Sequence, residues 1–114
     1  MANSVAFRPV GPSHAISVGT GTGGTAVTIT PNGNDQVNFA GFLNTNAFPV
    51  TITISPTAAP TAVAPTAGSP TDTVVLGISM QSPMVIAVPP NSFSVAGVAG
   101  SSGTIYVTPL VAQN

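Results

Sequence analysis

Val50-Thr51-Ile52-Thr53-Ile54 alternates branched aliphatic and hydroxyl side chains with a period of two. Successive side chains of an extended chain point to opposite faces, so the stretch predicts a strand with its aliphatics turned inward and Thr51 and Thr53 outward. Outward from it, similar short runs recur between clusters of Gly, Pro and Asn: His14–Val18, Thr25–Thr30 and Val37–Leu43 before it, then Thr73–Ile78, Met84–Val88, Phe93–Ala99 and Thr104–Thr108. In the last run Ile105 and Val107 share one face and Tyr106 takes the other. About eight short strands with turn residues at regular spacing predict an all-β fold, a β-sandwich or small barrel of jelly-roll or Greek-key type. Glutamate and lysine are absent, glutamine is scarce, and no window carries a helical stripe.

A chain of 114 residues is long enough for one core and too short for two, so residues 1–114 are expected to form a single β domain. Residues 1–13 read as an extended segment because Pro9, Gly11 and Pro12 oppose regular structure. Residues 55–72 hold Pro56, Pro60, Pro65 and Pro70 among Ala and Thr, with the near repeat Ala59-Pro60-Thr61-Ala62 and Ala64-Pro65-Thr66-Ala67. Proline at that density cannot donate ladder hydrogen bonds, and the segment reads as a long loop, either a surface insertion or a contact arm.

Only Arg8, Asp35 and Asp72 carry a full charge, and cysteine is absent. Soluble domains typically give about a quarter of their residues to Asp, Glu, Lys and Arg, which hydrate the surface and keep molecules apart. A surface this neutral is suited to contact within an assembly. It lacks the clustered Lys and Arg that nucleic acids and anionic membranes select, so neither is an expected partner. Without cysteine the fold rests on packing and backbone hydrogen bonds, and a reducing compartment is permitted. The N-terminal residues lack the basic start and apolar core of a secretion signal. Gly77, Pro83, Pro89, Pro90, Gly97, Gly100 and Gly103 interrupt the uncharged stretch from Thr73 to Asn114, leaving no apolar helix of about twenty residues.

The parts for catalysis are few. His14, either aspartate and a serine suffice numerically for a triad, but no serine sits in a Gly-x-Ser-x-Gly elbow, and His14 reads as a strand-edge or interface residue. Asp35, within Pro31-Asn32-Gly33-Asn34-Asp35, has turn chemistry, and Asp72 closes the proline-rich loop. A carboxylate pair for glycoside hydrolysis and a metal site both lack convergent ligands. Gly19-Thr20-Gly21-Thr22-Gly23-Gly24 matches Gly-x-Gly-x-x-Gly, yet Thr25–Thr30 beyond it has a strand pattern where a dinucleotide site needs a helix N-terminus, so a hairpin connection is expected. No enzyme activity and no cofactor are therefore expected. Sugar binding lacks tryptophan platforms: Tyr106, Phe7, Phe39, Phe42, Phe48 and Phe93 are the aromatics, and the phenylalanines suit a core or subunit interface. Thr28 with Thr30 and Thr51 with Thr53 suit an ice-binding face or any hydroxylated strand, and no solenoid repeat supports the former.

The run Gly77-Ile78-Ser79-Met80-Gln81-Ser82-Pro83-Met84-Val85-Ile86-Ala87-Val88-Pro89-Pro90-Asn91, then Phe93–Ala99 and Gly103-Thr104-Ile105-Tyr106-Val107-Thr108-Pro109, resembles small structural proteins of tailed bacteriophages. Asn44-Thr45-Asn46-Ala47 before Val50 looks like their central hairpin, so the resemblance covers roughly Gly41 to Pro109. It implies a capsid decoration, or cement, protein: a non-enzymatic subunit of the virion, made in the host cytoplasm, that binds the major capsid protein on the outside of the head. Self-association as a dimer or trimer fits the symmetries of capsid sites. The residues expected to touch the capsid are Phe7, Arg8, Pro9, Val10 and His14. Phe7 and Val10 would act as anchors and Arg8 would pair with an acid, unless the segment is simply the first edge strand. The alternative is a fibre, tail or cell-surface β module that binds carbohydrate.

Overall fold

The computed structural model describes residues 6–20, 26–33, 36–56 and 61–113. They form nine strands and no helix: β1 (Ala6–Pro9), β2 (His14–Val18), β3 (Val27–Ile29), β4 (Phe39–Leu43), β5 (Val50–Ser55), β6 (Val74–Leu76), β7 (Met84–Ala87), β8 (Phe93–Ala99) and β9 (Gly103–Gln113). One sheet runs β1–β9–β4–β7, with β2 also on β9, and the other runs β3–β8–β5–β6; every pairing is antiparallel.

The pairs β2·β9, β3·β8, β4·β7 and β5·β6 are nested, as in one long hairpin whose tip is the connection between β5 and β6. Rolling that hairpin adds β4·β9 and β5·β8 and closes two layers, which is the jelly-roll order among the expected sandwich topologies. The layers meet over Ile16, Ile29, Phe42, Val50, Ile52, Leu76, Phe93, Val95, Ile105 and Val107, all buried. Period-two alternation supplies this core: Ile16 and Val18 from β2, Ala40 and Phe42 from β4, Val50 and Ile52 from β5.

Because β2 and β4 lie in one sheet and β3 and β5 in the other, the connections at Gly19–Gly24 and Asn44–Pro49 cross between layers and are not hairpins. Residues 21–25 of the glycine-rich stretch lie outside the described residues, as do Asn34 and Asp35. The Asn44 corner is held by a polar cluster. Asn44, fully buried, donates from Nδ2 to the carbonyls of Phe48 and Gly77, each at 2.9 Å, while its Oδ1 accepts from the Asn46 backbone N–H at 3.1 Å and from Asn46 Nδ2 at 2.7 Å. Asn46 Nδ2 also donates to the Thr104 carbonyl, tying the corner to β9.

Two expectations change at the chain ends. Residues 6–9 are extended as foreseen, but they are paired: β1 lies against Leu110–Gln113, and Val10 beyond it is 1% exposed in the core. The closing strand therefore runs past Thr108 to Gln113, through Pro109. A strand residue directs its N–H and C=O to the same edge; the Pro109 carbonyl accepts from Val10 N–H at 3.0 Å, so the missing proline N–H falls where β1 gives way to β2. Gly11 completes the break, since a Cβ there would stand 2.8 Å from Pro109 Cγ and 3.0 Å from the Thr30 carbonyl oxygen.

The Ala-Pro-Thr loop folds back on its own molecule. Ala62 is 1% exposed without belonging to the core between the sheets. Thr61 and Val63 share a hollow with Thr53, and Ala64 shares another with Thr51 and Val98, which places the loop over the outer face of β5 and β8. Thr66 and Ser69 pair backbone to backbone around Gly68 (φ +81°), and Thr71 Oγ1 donates to the Val63 carbonyl at 2.8 Å. Thr51, expected to face outward, does so beneath this roof and is only 6% exposed.

Candidate functional site

The two outer faces differ. The loop covers the outer face of β5 and β8 and leaves Val75 of β6 exposed, whereas no described segment covers the outer face of the β1–β9–β4–β7 sheet. Cross-strand register builds that bare face: Leu43 stands opposite Tyr106, Gly41 opposite Thr108 and Val85, Phe39 opposite Leu110 and Ala87, and Pro9 opposite Leu110 from the other edge.

The face is indented by a groove of about 390 Å³, floored by β4 at Gly41 and walled by Leu43, Pro83, Tyr106 and Leu110, with Ser13 and Thr108 along one rim. Ser13 Oγ and Thr108 Oγ1 lie 2.6 Å apart and satisfy one another, so the rim presents few free polar groups. Tyr106 stands up beside the groove at 43% exposure. At the margin Phe7 meets Phe39 edge to face, ring centroids 5.3 Å apart. The face carries apolar, hydroxyl and aromatic side chains and no ionic one.

Of the residues expected to make contacts, Phe7, Arg8 and Pro9 are exposed on β1, whose outer edge is unpaired among the described residues, and Phe7 and Pro9 belong to the bare face. Val10 fills the core instead of projecting from the surface, because the chain dives inward at the Gly11 break. His14 is half-buried at the start of β2, opposite Val107. Sequence reasoning missed Gly41, Leu43, Pro83 and Leu110. A glycine inside the aromatic run Phe39-Ala40-Gly41-Phe42-Leu43 was the available signal, since strand-interior glycine marks a place kept open for something else.

A second hollow, about 410 Å³, opens between β6 and β7, with Ile52, Ile54, Ile86 and Asp72 on its lining. His14 lies on β2 at one margin of the sandwich and Asp72 beside β6 at the other, so the fold does not bring these two together. Among the described residues no cluster of His, Asp or Glu converges on a metal position. Among the phenylalanines, Phe42 and Phe93 are core, Phe48 packs against it, and Phe39 and Phe7 serve the bare face. Comparison with protein-family models, with curated proteins and with solved structures finds no match to this chain.

Proposed function

We propose that this protein is a non-enzymatic structural subunit of a bacteriophage virion that binds the major capsid protein on the outside of the head and reinforces it as a decoration, or cement, protein. The observation that carries the reading is the exposed outer edge of β1, unpaired among the described residues, on a chain whose whole charge is one arginine and two aspartates. Such a surface gains free energy by leaving water, at about 25 cal/mol per Å² of apolar area, and has little Coulomb energy to gain or lose. The capsid edge of the contact is β1, where Phe7 and Pro9 offer apolar area and Arg8 offers the single cation. Many copies on a symmetric lattice share the outward load of packaged DNA, each contributing a modest contact. The protein is made in the host cytoplasm and lives on the capsid surface.

Jelly rolls serve both as capsid proteins and as lectins, and Tyr106 at the rim of a groove offers a stacking platform for a sugar ring. A carbohydrate-binding fibre, tail or cell-surface module is therefore the second reading. Heads purified without the protein and a glycan array separate the two. Saturable binding to heads with no glycan signal supports decoration, and glycan binding with no occupancy on heads supports the alternative.

A further inference from the structure

We infer that the bare face of the β1–β9–β4–β7 sheet is the contact between two copies of this chain, which stack sheet on sheet about a two-fold axis with Tyr106 of each copy entering the Gly41 groove of the other.

Three features favour a second copy as occupant. A two-fold interface must be complementary to itself, so every protrusion needs its recess on the same patch. This face has both: Tyr106 stands beside a recess of about 390 Å³ that has Gly41 on its lining. Near the axis a two-fold sets like charges against one another, and this face has no ionic group to be repelled among Phe7, Phe39, Leu43, Val85, Tyr106 and Leu110. Finally, the size fits a modest dimer. With strands ~4.8 Å apart and a rise of ~3.4 Å per residue, the face projects to roughly 500 Å². Two such faces bury about 1,000 Å² or somewhat more, the small end of specific interfaces, for which dissociation in the micromolar range is expected. Stacked sheets then lie ~10 Å apart with strands ~30° from parallel.

Phe7 and Pro9 lie at the margin of the stacked face, and the outer edge of β1 with Arg8 stays free in each copy, so the dimer is measured without capsids and its failure is distinguishable from failure of the capsid reading. Tyr106 reports on the contact directly, being the only tyrosine in a chain without tryptophan. Full-length protein is followed from low micromolar to near-millimolar concentration by sedimentation equilibrium and by acrylamide quenching of tyrosine emission. The expected result is a mass rising from 11.1 kDa toward twice that value, with quenching falling severalfold over the same concentrations. Gly41→Ala adds a methyl group that meets Leu110 Cδ1 and Pro83 Cβ at 3.4 Å, so it folds while filling the groove floor; it weakens association at least tenfold. Tyr106→Asp stays monomeric, and Val75→Ser, on the opposite sheet, associates like the parent. A monomer at every concentration overturns the inference, and so does a doubled mass with unchanged quenching, because that dimer uses another face.

Discussion

Replacing Asn44 by alanine tests whether the corner between the two sheets is held by one buried amide. The substitution removes the donor to the Phe48 and Gly77 carbonyls and the acceptor of the Asn46 backbone N–H, at a residue with no exposed surface. A buried polar group left without a partner costs ~1–3 kcal/mol. Three such groups, partly relieved by local relaxation, amount to a loss of ~3 kcal/mol. At ~2.1 cal/mol/K per residue the unfolding entropy of this chain is ~0.24 kcal/mol/K, so each kcal/mol moves Tm by ~4 °C and the expected fall is ~12 °C. Asn44→Asp separates the two roles: its carboxylate still accepts from Asn46 but turns an oxygen toward two carbonyls, and it destabilises at least as much as alanine. Thermal melts followed by far-UV circular dichroism, with urea titration for ΔG, read both variants. A fall of less than ~4 °C for Asn44→Ala would refute the reasoning, since it would mean that water replaces the amide at no cost.

Three further substitutions address packing. Gly97→Ala places a Cβ 2.6 Å from Val18 Cγ1 between the sheets, so it costs ~1–3 kcal/mol, and adding Val18→Ala recovers part of the loss; strictly additive costs would contradict the close approach. Val10→Ala lowers stability by ~1–3 kcal/mol although it lies in the N-terminal segment, so deletion through residue 13 costs at least that much more than deletion of residues 1–9; equal urea midpoints for the two truncations would contradict it. Thr53 Oγ1 is buried without a hydrogen-bond partner among the described residues, and Thr53→Val, similar in shape, raises stability by about 1 kcal/mol; a lower Tm would show that the hydroxyl is satisfied.

Local alternation made the fold legible wherever a strand was half-buried. Val50–Ile54, His14–Val18, Met84–Val88 and Phe93–Ala99 all carry strands close to the expected bounds, and the faces of Ile105, Tyr106 and Val107 obey the same period. Strand β1 was legible only as one of two readings, contact segment or first edge strand, because Ala6–Pro9 has no buried face and owes its conformation to pairing with a segment a hundred residues away. Pro109 hid the end of β9: a proline normally stops a ladder, and only the nearby break at Gly11 and Pro12 makes room for it. The loop's position over Thr51 and Thr53 depends on tertiary contacts of alanines and threonines that have no periodicity. For the bare face, Tyr106 was placed by pattern, but its groove required knowing that β4 and β9 are neighbours, which brings Gly41, Leu43 and Leu110 around it. Neutrality of the surface, in contrast, is a property of composition and was readable without any structure.

The central claim is that this chain attaches through a neutral contact to a viral capsid, and binding to purified heads lacking it, measured across ionic strength, tests that claim most directly. Raising salt from ~0.1 to ~1 M shortens the screening length from ~10 to ~3 Å and strips away contacts held by exposed charges. The account predicts saturable occupancy whose Kd changes by less than about threefold over that range. A tenfold or greater weakening, or no binding to heads at either salt concentration, would contradict it.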